Sequence, residues 1–446
     1  MWDEAQKLAG RDSDYHRRDL WEAIDNGNYP EWELGVQIVE EEDEHKFDFD
    51  LLDPTKIIPE ELVPLKMIGK MTLNRNPDNF FAETEQVAFC PGHIVPGLDF
   101  TNDPLLQGRL FSYTDTQISH LGGPNFHEIP INRPLVPLHN GQRDAMHRQT
   151  IDKGEASYEP NSIDGGWPKE TAPAAQGGGF ATYTERVEGS KIRVRSPSFQ
   201  DHYSQATLFW NRMTDPETDH IVGAYSFELS KVGRKNIRER QLDILANIDE
   251  TLAARVADNL GLPAPKKSAS ADELGKSSVT ESQALSIVAK TPPTVKTRKV
   301  AILAAKGADA ASITAIKDAL AKEGAHAKVI SPTLAPPAEG IEPDATILGM
   351  PSIMFDGVII AGGTQSAKML SESGDARHFV LEAFKHLKAI GAIGDGEDVL
   401  AAAHLPSGDD GVAVGSDAGD VMTRFIEAMG QHRVWSRAQK AESVPA

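Results

Sequence analysis

The chain of 446 residues carries 45 Lys and Arg against 66 Asp and Glu, a net charge of −21, with 40% hydrophobic and 25% charged residues. This is the composition of a globular protein large enough for two or three cores. The acidity argues against a nucleic-acid partner, which needs clustered Lys and Arg, and the lack of a long apolar run or a basic-apolar leader argues against a membrane partner or a signal peptide, so a cytoplasmic setting is expected.

A single cysteine, Cys90, excludes an internal disulfide and a four-cysteine metal site, and the 14 histidines show no zinc-finger or His-Glu-x-x-His spacing. Residues 16–26 have the period of a short amphipathic helix with Leu20, Trp21 and Ile24 inward, stopped at Gly27. Trp32, Leu34, Val36 and Ile38 alternate as in a half-buried strand, and strand-like runs at 47–51 and 71–73 would continue an antiparallel sheet. The acidic run 40–44 reads as a solvated loop or strand end.

Residues 102–117 hold the most informative stretch. Asp103 can cap a helix and Pro104 suits its first turn, while Leu105, Leu106 and Leu110 can form a buried stripe. Arg109 and Tyr113, four residues apart, lie on one face. A guanidinium within hydrogen-bonding reach favours a phenolate over a phenol, and a phenolate is a hard anionic ligand suited to ferric iron. On spacing alone, a surface or packing contact remains the commoner use of such a pair.

Residues 133–190, rich in Pro, Gly and polar residues, predict an extended surface segment. From 201 to 260 helical periodicity returns, notably at Ile244, Ile248, Leu252, Val256 and Leu260, and Gly261 and Pro263 end it. Residues 263–297 have linker composition. After Arg298 buried strands (300–303, 327–330, 358–361, 389–393) alternate with helices (313–321, 376–387, 420–429), the pattern of a small doubly wound α/β domain.

The string Arg109-Leu110-Phe111-Ser112-Tyr113-x-Asp115-Thr116 resembles the proximal haem-ligand signature of the haem catalases. Further matches, in order, are Leu73-Asn74-Arg75-Asn76-Pro77, Leu121-Gly122-Gly123-Pro124-Asn125, His202-Tyr203-Ser204-Gln205-Ala206 and Ile237-Arg238-Glu239-Arg240, and the C-terminal domain looks like that of the large-subunit branch. Tyrosine ligation is how catalases hold haem iron, so that assignment comes with the resemblance and not from spacing.

The resemblance implies an α+β fold: part of an antiparallel β-barrel over 1–132, a wrapping segment over 133–190, a helical domain over 191–262, a linker over 263–297 and a flavodoxin-like, amidotransferase-like domain over 298–440. It implies haem, b or modified, with Tyr113 as the metal ligand, and Arg109, Phe89, Gln117 and His120 around the cofactor. His120 stands where many catalases place an arginine that pairs with a haem propionate. The implied activity is dismutation of hydrogen peroxide to water and oxygen by a homotetramer, in the response to oxidative stress.

No catalytic residue is assignable, because in the family the distal His and Asn lie upstream of everything matched here. The chain alone is therefore expected to be inactive, with a separate N-terminal polypeptide as a partner. The alternative is a catalytically silent scaffold or assembly partner. In some relatives the residue corresponding to Cys90 becomes joined to the axial tyrosine. In amidotransferase-like relatives the nucleophilic cysteine falls on what is Gly394 here, so thiol hydrolysis is not expected.

Overall fold

The computed structural model describes residues 2–136, 145–151, 162–163, 182–190, 192–268 and 277–445. In chain order its elements are α1 (Trp2–Arg11), α2 (Tyr15–Asp25), β1 (Glu31–Val36), β2 (Lys66–Thr72), α3 (Pro104–His120), α4 (Ser204–Asn211), α5 (Asp215–Ser230), α6 (Lys235–Ile248) and α7 (Glu250–Asn259). Then follow α8 (Ile287–Lys290), β3 (Lys299–Leu303), α9 (Ala310–Lys322), β4 (His326–Ser331), β5 (Ala345–Thr346) and β6 (Gly357–Ile360). The last are α10 (Thr364–Glu372), α11 (Gly374–Lys385), β7 (Ala389–Ile393), α12 (Glu397–Ala402), β8 (Val412–Gly415), α13 (Ala418–Gly430) and α14 (Ala438–Ala441). Two compact units result, one of Met1–Asn28, Phe209–Lys267 and Glu281–Ala446, the other of Tyr29–Leu208 and Ser268–Thr280.

In the second unit, β1 and β2 pair antiparallel with a register shift at Leu34/Gly35. This is the one ladder of the implied barrel among the described residues. The expected strand at 47–51 does not form. Asp side chains there bond the local backbone instead, Asp50 accepting from Leu52 N at 2.9 Å and Asp53 from Thr55 N at 2.9 Å, which offers the chain turns in place of a ladder. Much of the expected wrapping segment, including Gly165-Gly166 and 177–179, lies outside the described residues.

In the first unit, the six strands run parallel in the order β5-β4-β3-β6-β7-β8. Such strands are covered on both faces, which is why they read as continuous apolar runs. One face carries α9 and α13 through Ile313, Ile316, Leu320, Val421 and Phe425. The other carries α10, α11 and α12 through Leu370, Phe379, Val380, Phe384 and Leu400. A second core joins α5, α6 and α7 through Val222, Leu242, Leu245, Leu252 and Val256, and Gly261, at φ +63°, ends α7.

The stretch read as linker is part of this unit from residue 281 on. Ser286 is fully buried and gives its hydroxyl to Glu217 at 2.8 Å, and Glu217 also accepts from Val288 N at 3.1 Å. In α2, Ile24 is buried as expected, whereas Leu20 and Trp21 are exposed.

Helix α1 gave no sequence signal and is held by charge. Lys388, 1% exposed just before β7, meets Glu4 at 2.7 Å and donates to the Ser352 carbonyl at 2.9 Å. Arg433 meets the same carboxylate at 3.1 Å, and the buried His386 ring lies 3.2 Å from Asp3. Lys299, at the start of β3, pairs with Asp19 of α2 at 2.7 Å. Burial alone would raise the Glu4 pKa, but the Lys388 and Arg433 charges outweigh it and bring it down to about 2.

Removing one partner of such a buried pair costs about 3–5 kcal/mol, because it strands the other charge. Glu4→Gln should therefore lower the urea midpoint of the first unit markedly, and adding Lys388→Met should recover part of the loss. A depressed carboxylate contributes stability that is full above its ordinary pKa of 4.5 and is lost as pH falls toward about 2. The midpoint should thus drop along this acid limb in the parent chain and less so in Glu4→Gln; superimposable acid limbs would contradict the assignment.

Candidate functional site

Helix α3 begins as its sequence dictates. The Asp103 carboxylate accepts from Leu105 N at 2.8 Å and Pro104 occupies the first turn. The expected buried leucine stripe differs from what is observed: Leu105 is exposed, and Leu106 and Leu110 are only half-buried. The inward anchor is polar instead. Gln117 is buried and donates through Nε2 to the Phe89 carbonyl at 3.1 Å, fixing the segment before Cys90 against the helix.

The helical spacing brings Arg109 and Tyr113 together. The Arg109 guanidinium carbon lies 5.1 Å from the Tyr113 ring centroid, a cation–π arrangement, so the arginine addresses the ring face. The Phe89 ring meets Tyr113 edge-on with centroids 5.5 Å apart. Both Arg109 and Tyr113 are half-buried, and among the described residues neither Arg109 nor the Tyr113 hydroxyl has a hydrogen-bond or ion-pair partner.

Of the residues singled out in the sequence, Arg109, Tyr113, Phe89 and Gln117 form one cluster. His120 sits in the last turn of α3, exposed. Cys90 is half-buried next to Phe89. Sequence reading missed His93, which stacks on Phe126 with centroids 6.1 Å apart, and whose pKa is lowered by burial and then by the nearby His127. Its only signal was proximity to Cys90.

A half-buried phenol oxygen without a protein partner, a neighbouring cation and an exposed aromatic wall at Phe89 are the donor chemistry a ferric porphyrin would use. Among the described residues no group of three or more His, Cys, Asp or Glu side chains is placed to hold a metal ion. No helix among them is long and apolar enough to cross a membrane.

Comparison with known proteins defines the class. Residues 1–165 match the catalase family model, 196–260 the model described as catalase-related immune-responsive, and 296–439 the C-terminal domain found in long catalases. Taken together, these matches make the chain similar to catalases over most of its length. It is 59% identical to catalase HPII of Pseudomonas putida and 56% identical to catalase HPII of Pseudomonas aeruginosa, in each case over 100% of this chain and 63% of the relative. It is 50% identical to catalase-2 of Bacillus subtilis over 98% of this chain and 63% of that protein. The chain thus spans about 63% of the length of these relatives.

The capping geometry carries a direct expectation. Asp103→Ala should destabilise the start of α3 by about 1 kcal/mol, seen as faster amide exchange over its first turn with little change over its last.

Proposed function

We propose that the chain acts in a haem catalase of the long type, which converts two hydrogen peroxide molecules into two waters and dioxygen, and that Tyr113 is the residue that would hold the haem iron. The single observation that carries this reading is the Arg109–Tyr113 pair on α3 with Phe89 against it and an unpartnered phenol oxygen. Bound haem supplies the redox centre. The chain's own residues would orient and insulate it: Tyr113 holds the iron through its oxygen, Arg109 keeps positive charge over the ring, Phe89 forms a wall and Gln117 fixes Phe89. His120, exposed at the end of α3, can donate one hydrogen bond to a propionate.

No distal acid–base group is assigned within residues 1–446, and proton transfer at the peroxide requires one. Little oxygen release is therefore expected from residues 1–446 alone. A homotetramer in the cytoplasm is part of the same reading. The C-terminal domain is read as amidotransferase-like in fold with an accessory role. Gly394, in the left-handed region at φ +54° at the turn after β7, stands where such a hydrolase would need its nucleophile.

Haem reconstitution tests the ligand. Tyr113→Phe should abolish the ferric phenolate spectrum and Arg109→Ala should weaken it; unchanged spectra in both would reject the site. Oxygen release by the polypeptide alone, at rates typical of complete catalases, would reject the assignment of the missing acid–base function. A haem-free oligomer that stays silent toward peroxide would favour the scaffold reading.

Cys90 adds a test of proximity, since its neighbour Phe89 touches the Tyr113 ring. Joining its sulfur to the Tyr113 Cβ removes one hydrogen from each, and one peroxide takes both up as two waters. Peptide mapping of peroxide-treated holoprotein should find a Cys90–Tyr113 crosslink. Complete alkylation of Cys90 after denaturation would exclude it.

A further inference from the structure

Within the first unit, α1 and α11 present matching stripes. Asp3, Lys7 and Arg11 recur every four residues on α1, and Asp375, His378, Phe379 and Glu382 follow the i, i+3, i+4, i+7 period of one face of α11. The two helices are joined by Lys7, whose ammonium lies 3.3 Å from Glu382 and 3.2 Å from Asp3. Lys7 and Arg11 of the α1 stripe and all four residues of the α11 stripe line one cavity of about 420 Å³, of a size that suits a small organic ligand.

Two features of the lining point to its occupant. The apolar part is formed by Ile347, Ile353 and Phe379, each buried. Lys7 is already neutralised, which leaves Arg11 on the α1 side and Asp375 on the α11 side, a cation and an anion with no ion-pair or hydrogen-bond partner among the described residues.

We propose that this cavity is a binding site for a free α-amino acid with an apolar side chain. The carboxylate faces Arg11, the ammonium faces Asp375, and the side chain packs on Ile347, Ile353 and Phe379. A simple organic anion answers only Arg11, and an amine only Asp375. A zwitterion answers both. Because one charge comes from α1 and the other from α11, the occupant also fastens α1 to the α/β domain.

Saturation-transfer NMR on the full chain, with L-leucine as the probe and hexanoate and leucinamide as analogues each lacking one charge, tests the site. Transfer to the leucine methyls should saturate near about 1 mM, and each analogue should bind at least about tenfold more weakly. The exposed double variant Arg11→Gln/Asp375→Asn should abolish transfer. So should Leu348→Trp, which obstructs the rim from an exposed position without touching the core. Leucine should also slow amide exchange over residues 2–11. No transfer at about 10 mM leucine, equal binding of hexanoate, or undiminished transfer in both variants would overturn the proposal.

Discussion

A lysine ammonium with 1% exposure must be answered by an anion, and in the first unit the answer to Lys388 comes from the opposite end of the sequence. Burying the ammonium alone would cost several kcal/mol, and the attraction to Glu4 repays that only because the geometry is close and the Ser352 carbonyl accepts a further hydrogen bond. Arg433 shares the Glu4 carboxylate, so one acidic side chain serves two buried cations. The first turns of the chain and the α/β sheet therefore specify each other. With Lys299–Asp19 added, the cations cluster where β3 and β7 begin and the anions come from α1 and α2.

This arrangement was invisible in the sequence for a physical reason. Periodicity reports which face of an element is apolar, but a buried carboxylate is identified by its partner, and that partner lies hundreds of residues away. The strands of the parallel sheet were legible because burial on both faces leaves uninterrupted apolar runs such as 300–303 and 389–393. The short elements β5, β8, α10 and α12 were not, since two to nine residues carry too little pattern.

The candidate site was legible in part. Asp103 and Pro104 announced the start of α3, and four-residue spacing placed Arg109 and Tyr113 on one face. What spacing could not reveal is that Arg109 addresses the ring face, or that the helix is anchored through a buried glutamine. Gln117 holds a carbonyl of a neighbouring segment, and Leu105 points outward. An amphipathic reading assigns the inward face to leucines by default. Here a polar contact sets how α3 is held, with Leu105 exposed and Leu106 and Leu110 only half-buried.

Parallel α/β sheets usually bind ligands in the crevice at the carboxyl ends of their strands. In this sheet the chain packs on itself at part of that edge. A Cβ at Gly363 would stand 2.5 Å from the Gly307 carbonyl oxygen, so the turn after β6 is packed directly on the loop after β3. Thr364 donates to Asp395 at 2.7 Å across the next turn, and Gly394 contributes no side chain. The buried charges gather at the other edge, where Lys388 precedes β7 and Lys299 opens β3, and they face α1 and α2. The opposite edge, with its charged partners on α1 and α2, is where this domain holds the first 25 residues.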